Sequence, residues 1–254
     1  MDKGQEGLAK LRVGASPSRI QRVIEKPQGL RRRTGVVLRR EISPEGDIRL
    51  MCLFRGDGVH WLSLPGGGRG KVRLGGSTEP LTWGVFSFYK GRNRSFLKEI
   101  EVKKDFWGLR NMQESLKFAL GWCRLLSEVL PYQHPVDEVI PVFFWALELL
   151  EDRRDPWGMD LRFLWRVLKV WGVAPSLSSC GSCGKRLSEG TWKDGVFLCP
   201  VCSTGGQGRI FLEVAAFWAG TDKKNLPQET LSEDNRKNLY AVRSIISSNL
   251  KAFR

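Results

Sequence analysis

The chain has 254 residues, enough for one to three domains at roughly 150 residues each and long enough to bury a core without disulfide staples. A hydrophobic share of 41% beside 27% charged residues excludes wholesale disorder, and six cysteines are too few for a disulfide scaffold. The formal charge of +14 points to an anionic partner, either nucleic acid or a membrane surface. That charge is unevenly spread: residues 1–33 and 34–104 carry +6 each, and residues 105–254 carry +2. The electrostatic footprint therefore belongs to the first 104 residues.

Residues 1–33 read as a basic N-terminal extension, either disordered or an added contact for an anion. They contain no apolar run of signal-peptide length. Residues 34–104 predict short strands at 34–42, 48–54, 59–64, 70–74, 81–89 and 94–102, with turn-rich PEGD, RGDG, PGGGR, GGSTEP and KGRN between them. Five or six such strands with no helical period between most of them predict a small antiparallel barrel. Alternation puts Ile48, Leu50, Cys52 and Phe54 on one face, and likewise Phe96, Ile100 and Val102. Within 81–89 the pattern changes phase between Val85 and Phe86, which predicts a bulge or barrel corner beside Gly84.

From residue 105 onward the period is helical. Leu109, Met112, Leu116, Ala119, Cys123, Leu126 and Leu130 predict the core stripe of one long helix, stopped by Pro131. A second helix at 136–151 is apolar nearly all round and should be central, with Pro141 in or near its first turn. Its uncharged stretch, Val139 to Leu147, is too short to span a bilayer. A third helix at about 158–171 ends at Gly172. Residues 209–219 predict a further helix, and Thr230-Leu-Ser-Glu233 is a capping-box pattern opening the last one, to about Lys251. Eight of the ten tryptophans follow residue 105, so most aromatic mass is expected in the helical core.

Cys180-Gly-Ser-Cys183 and Cys199-Pro-Val-Cys202 have the spacing of a four-cysteine zinc ribbon, here at about 178–204. Two residues between thiolates let each pair grip one edge of a tetrahedron, and Gly181 and Gly184 give the knuckle its backbone freedom. Lys193-Asp-Gly195 between the pairs is a hairpin signal. Four thiolates would fill the coordination sphere of one structural zinc per chain; the alternative is two metal-free dithiol pairs or a redox pair. Cys52 and Cys123 fall on apolar faces and read as small buried hydrophobes. Only His60 and His134 are present, which leaves little material for histidine catalysis. The Gly-rich run before Lys71 fails as a phosphate loop, because Pro65 stands where its first glycine belongs and Val72 follows the lysine. No nucleophile or metal–carboxylate motif is identifiable, so a binder is expected rather than an enzyme.

The order of a basic barrel, an apolar helical domain and an embedded four-cysteine ribbon resembles the bacterial RecO family. Gly35-Val-Val-Leu-Arg-Arg40 is similar to that family's first strand, and the run from Gly68 to Thr82 to its basic loop and following strand. Val170-Trp-Gly-Val-Ala-Pro-Ser-Leu177 before Cys180 resembles its last helix leading into the zinc knuckle. The resemblance covers about 34–254. It implies an α+β chain: an OB-fold barrel at 34–104, then a helical domain at 105–254 with the inserted ribbon. It also implies a recombination mediator that binds single- and double-stranded DNA, anneals strands and works with RecR and the single-stranded DNA-binding protein SSB to load RecA. Such a chain would be cytoplasmic and nucleoid-associated, with no membrane contact and no small-molecule substrate. The alternative is an interaction scaffold for RecR and SSB with weak or indirect DNA contact.

The candidate DNA-binding residues are Arg39, Arg40, Arg69, Lys71, Arg73, Lys90, Arg92 and Arg94. Lys71 and Arg73 alternate with Val72 and Leu74, which would put both cations on one solvent face. Lys90, Arg92 and Arg94 cluster in the turn before the last barrel strand. Trp61, Phe88 or Tyr89 could stack bases, or each could belong to the barrel core.

Overall fold

The computed structural model describes residues 28–70, 74–204, 208–228 and 230–252. Five strands close into a barrel: β1 (Gly29–Ile42), β2 (Ile48–Phe54), β3 (Gly58–Leu64), β4 (Trp83–Lys90) and β5 (Ser95–Lys104), in the spatial order β1-β2-β3-β5-β4. This is the OB-fold arrangement, and with the helices that follow it makes the chain α+β. Every ladder is antiparallel except β3 with β5, which meet in parallel through Leu62 with Ser95 and Ser63 with Phe96. Val37, Ile48, Leu50, Cys52, Phe54, Leu62, Phe86 and Phe88 fill the interior. The Phe54 ring stacks on Phe88 at 5.4 Å and meets Phe86 edge-on at 5.3 Å.

Four details of the barrel differ from the sequence expectation. β1 starts at Gly29 instead of Thr34, because β4 offers ladder partners along its whole length, from Gly29 with Lys90 to Val36 with Trp83. The strand expected at 70–74 has no counterpart at its ends. Gly70 closes a 3-10 turn with φ +70°, Leu74 precedes another at Gly75–Thr78, and Lys71, Val72 and Arg73 lie outside the described residues. On β5 the interior residues are Leu97 and Ile100, whereas Phe96 is half-buried on the outer face and Val102 is exposed. Lys98 is the cause: Phe88 pairs with Leu97 and Ser87 with Glu99, so one extra residue shifts the alternation. The bulge expected beside Gly84 is present between Trp83 and Gly84. The apparent phase change in β4 has another origin, since Trp83 faces outward into the helical core while Phe86 and Phe88 face the barrel.

The helical body begins with a 3-10 turn at Trp107–Asn111 and continues as α1 (Gln113–Val129), α2 (Val139–Glu151), α3 (Pro156–Val170), α4 (Glu213–Gly220) and α5 (Glu233–Ala252). The single helix expected from Leu109 is broken at Met112, whose backbone (φ −123°, ψ 83°) is not helical, yet Leu109 stays buried in the same core. α2 is not wholly enclosed: Phe143, Leu147 and Leu150 are buried, but Trp145 is exposed. α3 ends as its glycine predicts. Gly172 (φ +75°) donates to Lys169 O and Val173 to Leu168 O, a Schellman pair. The helix expected at 209–219 starts only at Glu213, because Ile210–Phe211 forms a short strand, β8, against β6 (Glu189–Lys193). The cap of α5 is Ser232 rather than Thr230, with Ser232 Oγ accepting from Asn235 N at 3.4 Å.

Asp155 ties this body together. Its Oδ1 accepts from Trp157 N (2.9 Å) and Gly158 N (3.0 Å), capping α3. Its Oδ2 accepts from Leu231 N (2.9 Å), fixing the approach to α5. Asp155→Ala removes the acceptor for three N–H groups at a buried position. We expect a loss of about 2–3 kcal/mol in urea unfolding, with Asp155→Asn losing less. An Ala variant within about 0.5 kcal/mol of the parent would contradict this role.

Candidate nucleic-acid interface and metal centre

Period-2 alternation in β2 and β3 sends Ile48, Leu50 and Leu62 into the barrel, and so must send Arg49, Trp61 and Ser63 to its outer surface. There they line a cavity of about 440 Å³, bounded by the β1–β2 turn on one side and the β4–β5 turn on the other. The Arg49 guanidinium lies over the Trp61 ring, 4.8 Å from its centroid. Lys90, Arg92 and Arg94 line the β4–β5 side. Ser43, Glu45 and Asp47 line the other. Asp47 holds the turn in place, since its Oδ1 accepts from Gly66 N at 2.7 Å and its N–H donates to Ser43 Oγ at 3.2 Å. The Ser43 hydroxyl holds Glu45 below the usual carboxylate range. The strands and loops around this cavity are those that OB-folds use to bind oligonucleotides.

Of the basic residues singled out in the sequence, Lys90, Arg92 and Arg94 share this cavity. Arg69 does not line it but packs on the β1–β2 turn: its side chain lies over Gly46, where a Cβ would come within 2.5 Å of Arg69 Cγ. Arg39 and Arg40 lie elsewhere, with Arg124 beside a cavity of about 480 Å³ between β1 and α1. Arg39 pairs with Glu41 at 2.9 Å, and Arg40 lies 3.6 Å from Glu79. Lys71 and Arg73 lie outside the described residues. Phe88 is wholly buried in the barrel and cannot meet a base, whereas Tyr89 is exposed and Trp61 is half-buried. His60 is buried, with Nε2 2.9 Å from Asp57 O and 3.3 Å from Asp57 Oδ2. Arg49 was legible in the alternation of β2 but was not singled out. Tyr132 and Gln133, which also line the cavity, come from the α1–α2 connection and had no local signal.

A second cavity, of about 380 Å³, opens between α2 and α3. Trp145, Leu149, Met159 and Phe163 give it an apolar wall. Arg162, Arg166 and Lys223 bring positive charge to the same place. Lys223 Nζ lies 3.2 Å from the Trp145 ring centroid. Arg162 is already engaged, donating to Trp218 O (2.8 Å) and Thr221 O (2.7 Å), whereas Arg166 Nε is buried without a hydrogen-bond partner.

The four ribbon cysteines converge, with their sulfurs within 4.8 Å of one another, and can hold a metal ion. β6 and β7 (Val196–Leu198) form the hairpin between the knuckles, and Asp194 (φ +48°) and Gly195 (φ +87°) make its type I′ turn. Gly181 is obligatory for another reason: a Cβ there would come within 2.6 Å of Val196 Cβ. Gly184 (φ +73°) donates to Cys180 O at 2.9 Å, closing the first knuckle. Cys199 N donates to Cys180 Sγ at 3.3 Å. The N–H groups of Cys183 and Cys199 hold the Cys180 thiol down to about 6, and that of Cys202 lowers Cys199. Cys202 is pushed up to about 12 by the facing Cys199 and Cys183. Cys52 and Cys123 are fully buried, and desolvation pushes both thiols far up, as inert core residues require.

The family model described as "Recombination protein O C terminal" matches residues 114–217, from α1 through the ribbon into α4. DNA repair protein RecO of Acetivibrio thermocellus is 25% identical over 188 residues, covering 72% of this chain and 74% of that protein. RecO of Symbiobacterium thermophilum is 26% identical over 192 residues, covering 72% and 75%. RecO of Rubrobacter xylanophilus is 29% identical over 178 residues, covering 68% and 71%. Alignments of this length exceed the whole stretch from residue 105 to the C-terminus, so they run into the barrel as well. The likeness to RecO proteins thus spans both halves of the architecture.

Proposed function

We propose that this chain acts in DNA repair and homologous recombination as a mediator rather than an enzyme. In this reading it binds single- and double-stranded DNA, anneals complementary strands and helps load RecA onto SSB-coated DNA, in the cytoplasm at the nucleoid. The observation that carries it is the outer barrel cavity, where Arg49, Lys90, Arg92 and Arg94 outnumber Glu45 and Asp47 between the two loops that flank an OB-fold's binding face. The names of the relatives support the repair role. Phosphate neutralisation by this rim releases counterions and needs no base sequence. Annealing follows from the same chemistry, because two polyanions must share a neutralising surface before they can pair. Lys71 and Arg73, next to Arg69 in sequence, extend the candidate set, and Arg39 and Arg40 form a separate basic group beside α1.

The α2–α3 cavity supports a partner role alongside DNA binding. An apolar wall beside Arg166 and Lys223 suits an acidic segment that carries one large apolar side chain. We assign it to a protein partner, SSB or RecR, so that the barrel holds DNA and the helical body holds protein. Arg166→Glu should weaken capture of SSB while leaving the affinity for naked DNA unchanged, as read by fluorescence anisotropy with each in turn.

Zinc is the metal we propose for the ribbon. Four thiolates at about 2.3 Å from a tetrahedral zinc would stand about 3.8 Å apart, and Cys183 Sγ and Cys199 Sγ are 3.7 Å apart. Bound there, zinc would serve as a closed structural crosslink between the two knuckles, held by Cys180, Cys183, Cys199 and Cys202. Elemental analysis should give about one zinc per chain. Cys183→Ser should lower the melting temperature while changing DNA affinity far less. Purified protein without zinc and with four freely titratable ribbon thiols would refute the assignment.

The DNA reading is tested with Arg92→Ala/Arg94→Ala. Both residues are exposed, so the fold should be untouched. Each lost phosphate contact should reduce the log–log salt slope on single strands by about 0.7, and affinity should fall for all sequences alike. A double variant with parental affinity and parental slope would remove the barrel groove from consideration.

A further inference from the structure

The helical body reaches into the barrel's groove at one point. Tyr132 and Gln133, in the connection between α1 and α2, line the same cavity as Trp61 and Arg92. Their position is set by contacts with β3 and the turn before it, not with the groove's cations. Tyr132 bridges to Val59 of β3, and Gln133 N donates to Val59 O at 3.0 Å. Gly58 lies so close to the His134 backbone that no side chain fits there, and Gly56 N donates to Asp137 Oδ1 at 2.7 Å. Gln133 is held at φ +55°, a left-handed backbone that a non-glycine residue adopts only when its surroundings impose it. Despite this fixed backbone, Tyr132 is 54% exposed, with its ring 5.8 Å from that of His60.

We propose that Tyr132 and Trp61 form a base-holding end of the groove, taking an unstacked nucleobase of a single strand while the rim cations hold the flanking phosphates. This rests on the reading of the groove as a DNA surface. Trp61 sits on the barrel wall with Arg49 over its ring, and Tyr132 approaches from the helical side. Two aromatic side chains from different elements, meeting one cavity rimmed by cations, are the components of a sequence-tolerant single-strand site. Gln133 lines the same cavity, and its amide has both a donor and an acceptor to offer a base edge. A duplex keeps its bases stacked and out of reach, so it can use the cations but not the rings. The groove therefore separates two tasks: the charges act on either form of DNA, and the rings act only on unpaired strands.

The test compares Tyr132→Ala, Tyr132→Phe, Trp61→Ala and the Arg92→Ala/Arg94→Ala pair, using a fluorescein-labelled oligothymidine and a duplex of equal length. Each aromatic-to-Ala change should weaken oligothymidine binding about tenfold, with duplex affinity and the salt slope unchanged. Tyr132→Phe should restore most of the loss. Tyr132 is exposed, so its Ala variant should keep the parental melting temperature even if Trp61→Ala proves destabilising. Equal losses on single strand and duplex, or no loss on either, would overturn the base-holding role. If the arginine pair weakens both DNAs while Tyr132→Ala changes nothing, this inference fails and the groove reading stands. If none of the variants changes binding, the groove reading itself fails.

Discussion

The union of barrel and helices depends on three consecutive residues of β1. Val37 points into the barrel, while Val36 and Leu38 on either side of it point outward into the helical core, and all three are almost completely buried. Leu53, Val59 and Trp83 join that outer face, with the Trp83 ring packed against Phe143 and edge-on to Phe144 of α2. The barrel therefore lacks a solvated exterior on this side and shares its wall with the helices. Lys104, at the end of β5, adds an ion pair with Glu151 at 3.0 Å, close to the same junction. A hinge between barrel and helices would have to expose this apolar wall, so the two parts move as one.

That shared wall explains which features could be read from the sequence and which could not. Interior residues of β2 were legible because one of its faces is entirely apolar and the other carries Arg49. β4 misled because Trp83 is buried toward α2 while Phe86 and Phe88 are buried toward the barrel, and alternation cannot separate two cores. β5 misled for a geometric reason: the extra residue Lys98 inverts the parity after Leu97, and nothing in its local composition marks a bulge. Helix ends were legible where a glycine must take a left-handed backbone, as at Gly172, and less so where several hydroxyl residues compete to cap, as at Thr230 and Ser232.

The candidate sites divide along the same line. The ribbon could be located almost residue by residue, because metal ligation imposes a local spacing and a type I′ turn imposes Asp194-Gly195. The cluster Lys90, Arg92 and Arg94 was legible as a charged turn. Its separation from Arg39 and Arg40 was not, because two residues on β1 reach a different face of the barrel only after closure. Tyr132 had no local signal, since its importance comes from a contact with β3 across a large sequence distance.

The seam between β3 and β5 has a further consequence. Two residue pairs hold it, whereas the antiparallel seams of the barrel each run the length of a strand. It is the place where this barrel can unzip most cheaply. Ser63 on one side and Ser95 and Phe96 on the other line the groove, so any molecule seated there lies across the seam like a crossbar. Such a molecule must favour the closed barrel over the split one by its own differential affinity, and closure must in turn tighten its hold by the same factor. The weakest join of the barrel and the groove that lies across it are thus one thermodynamic element.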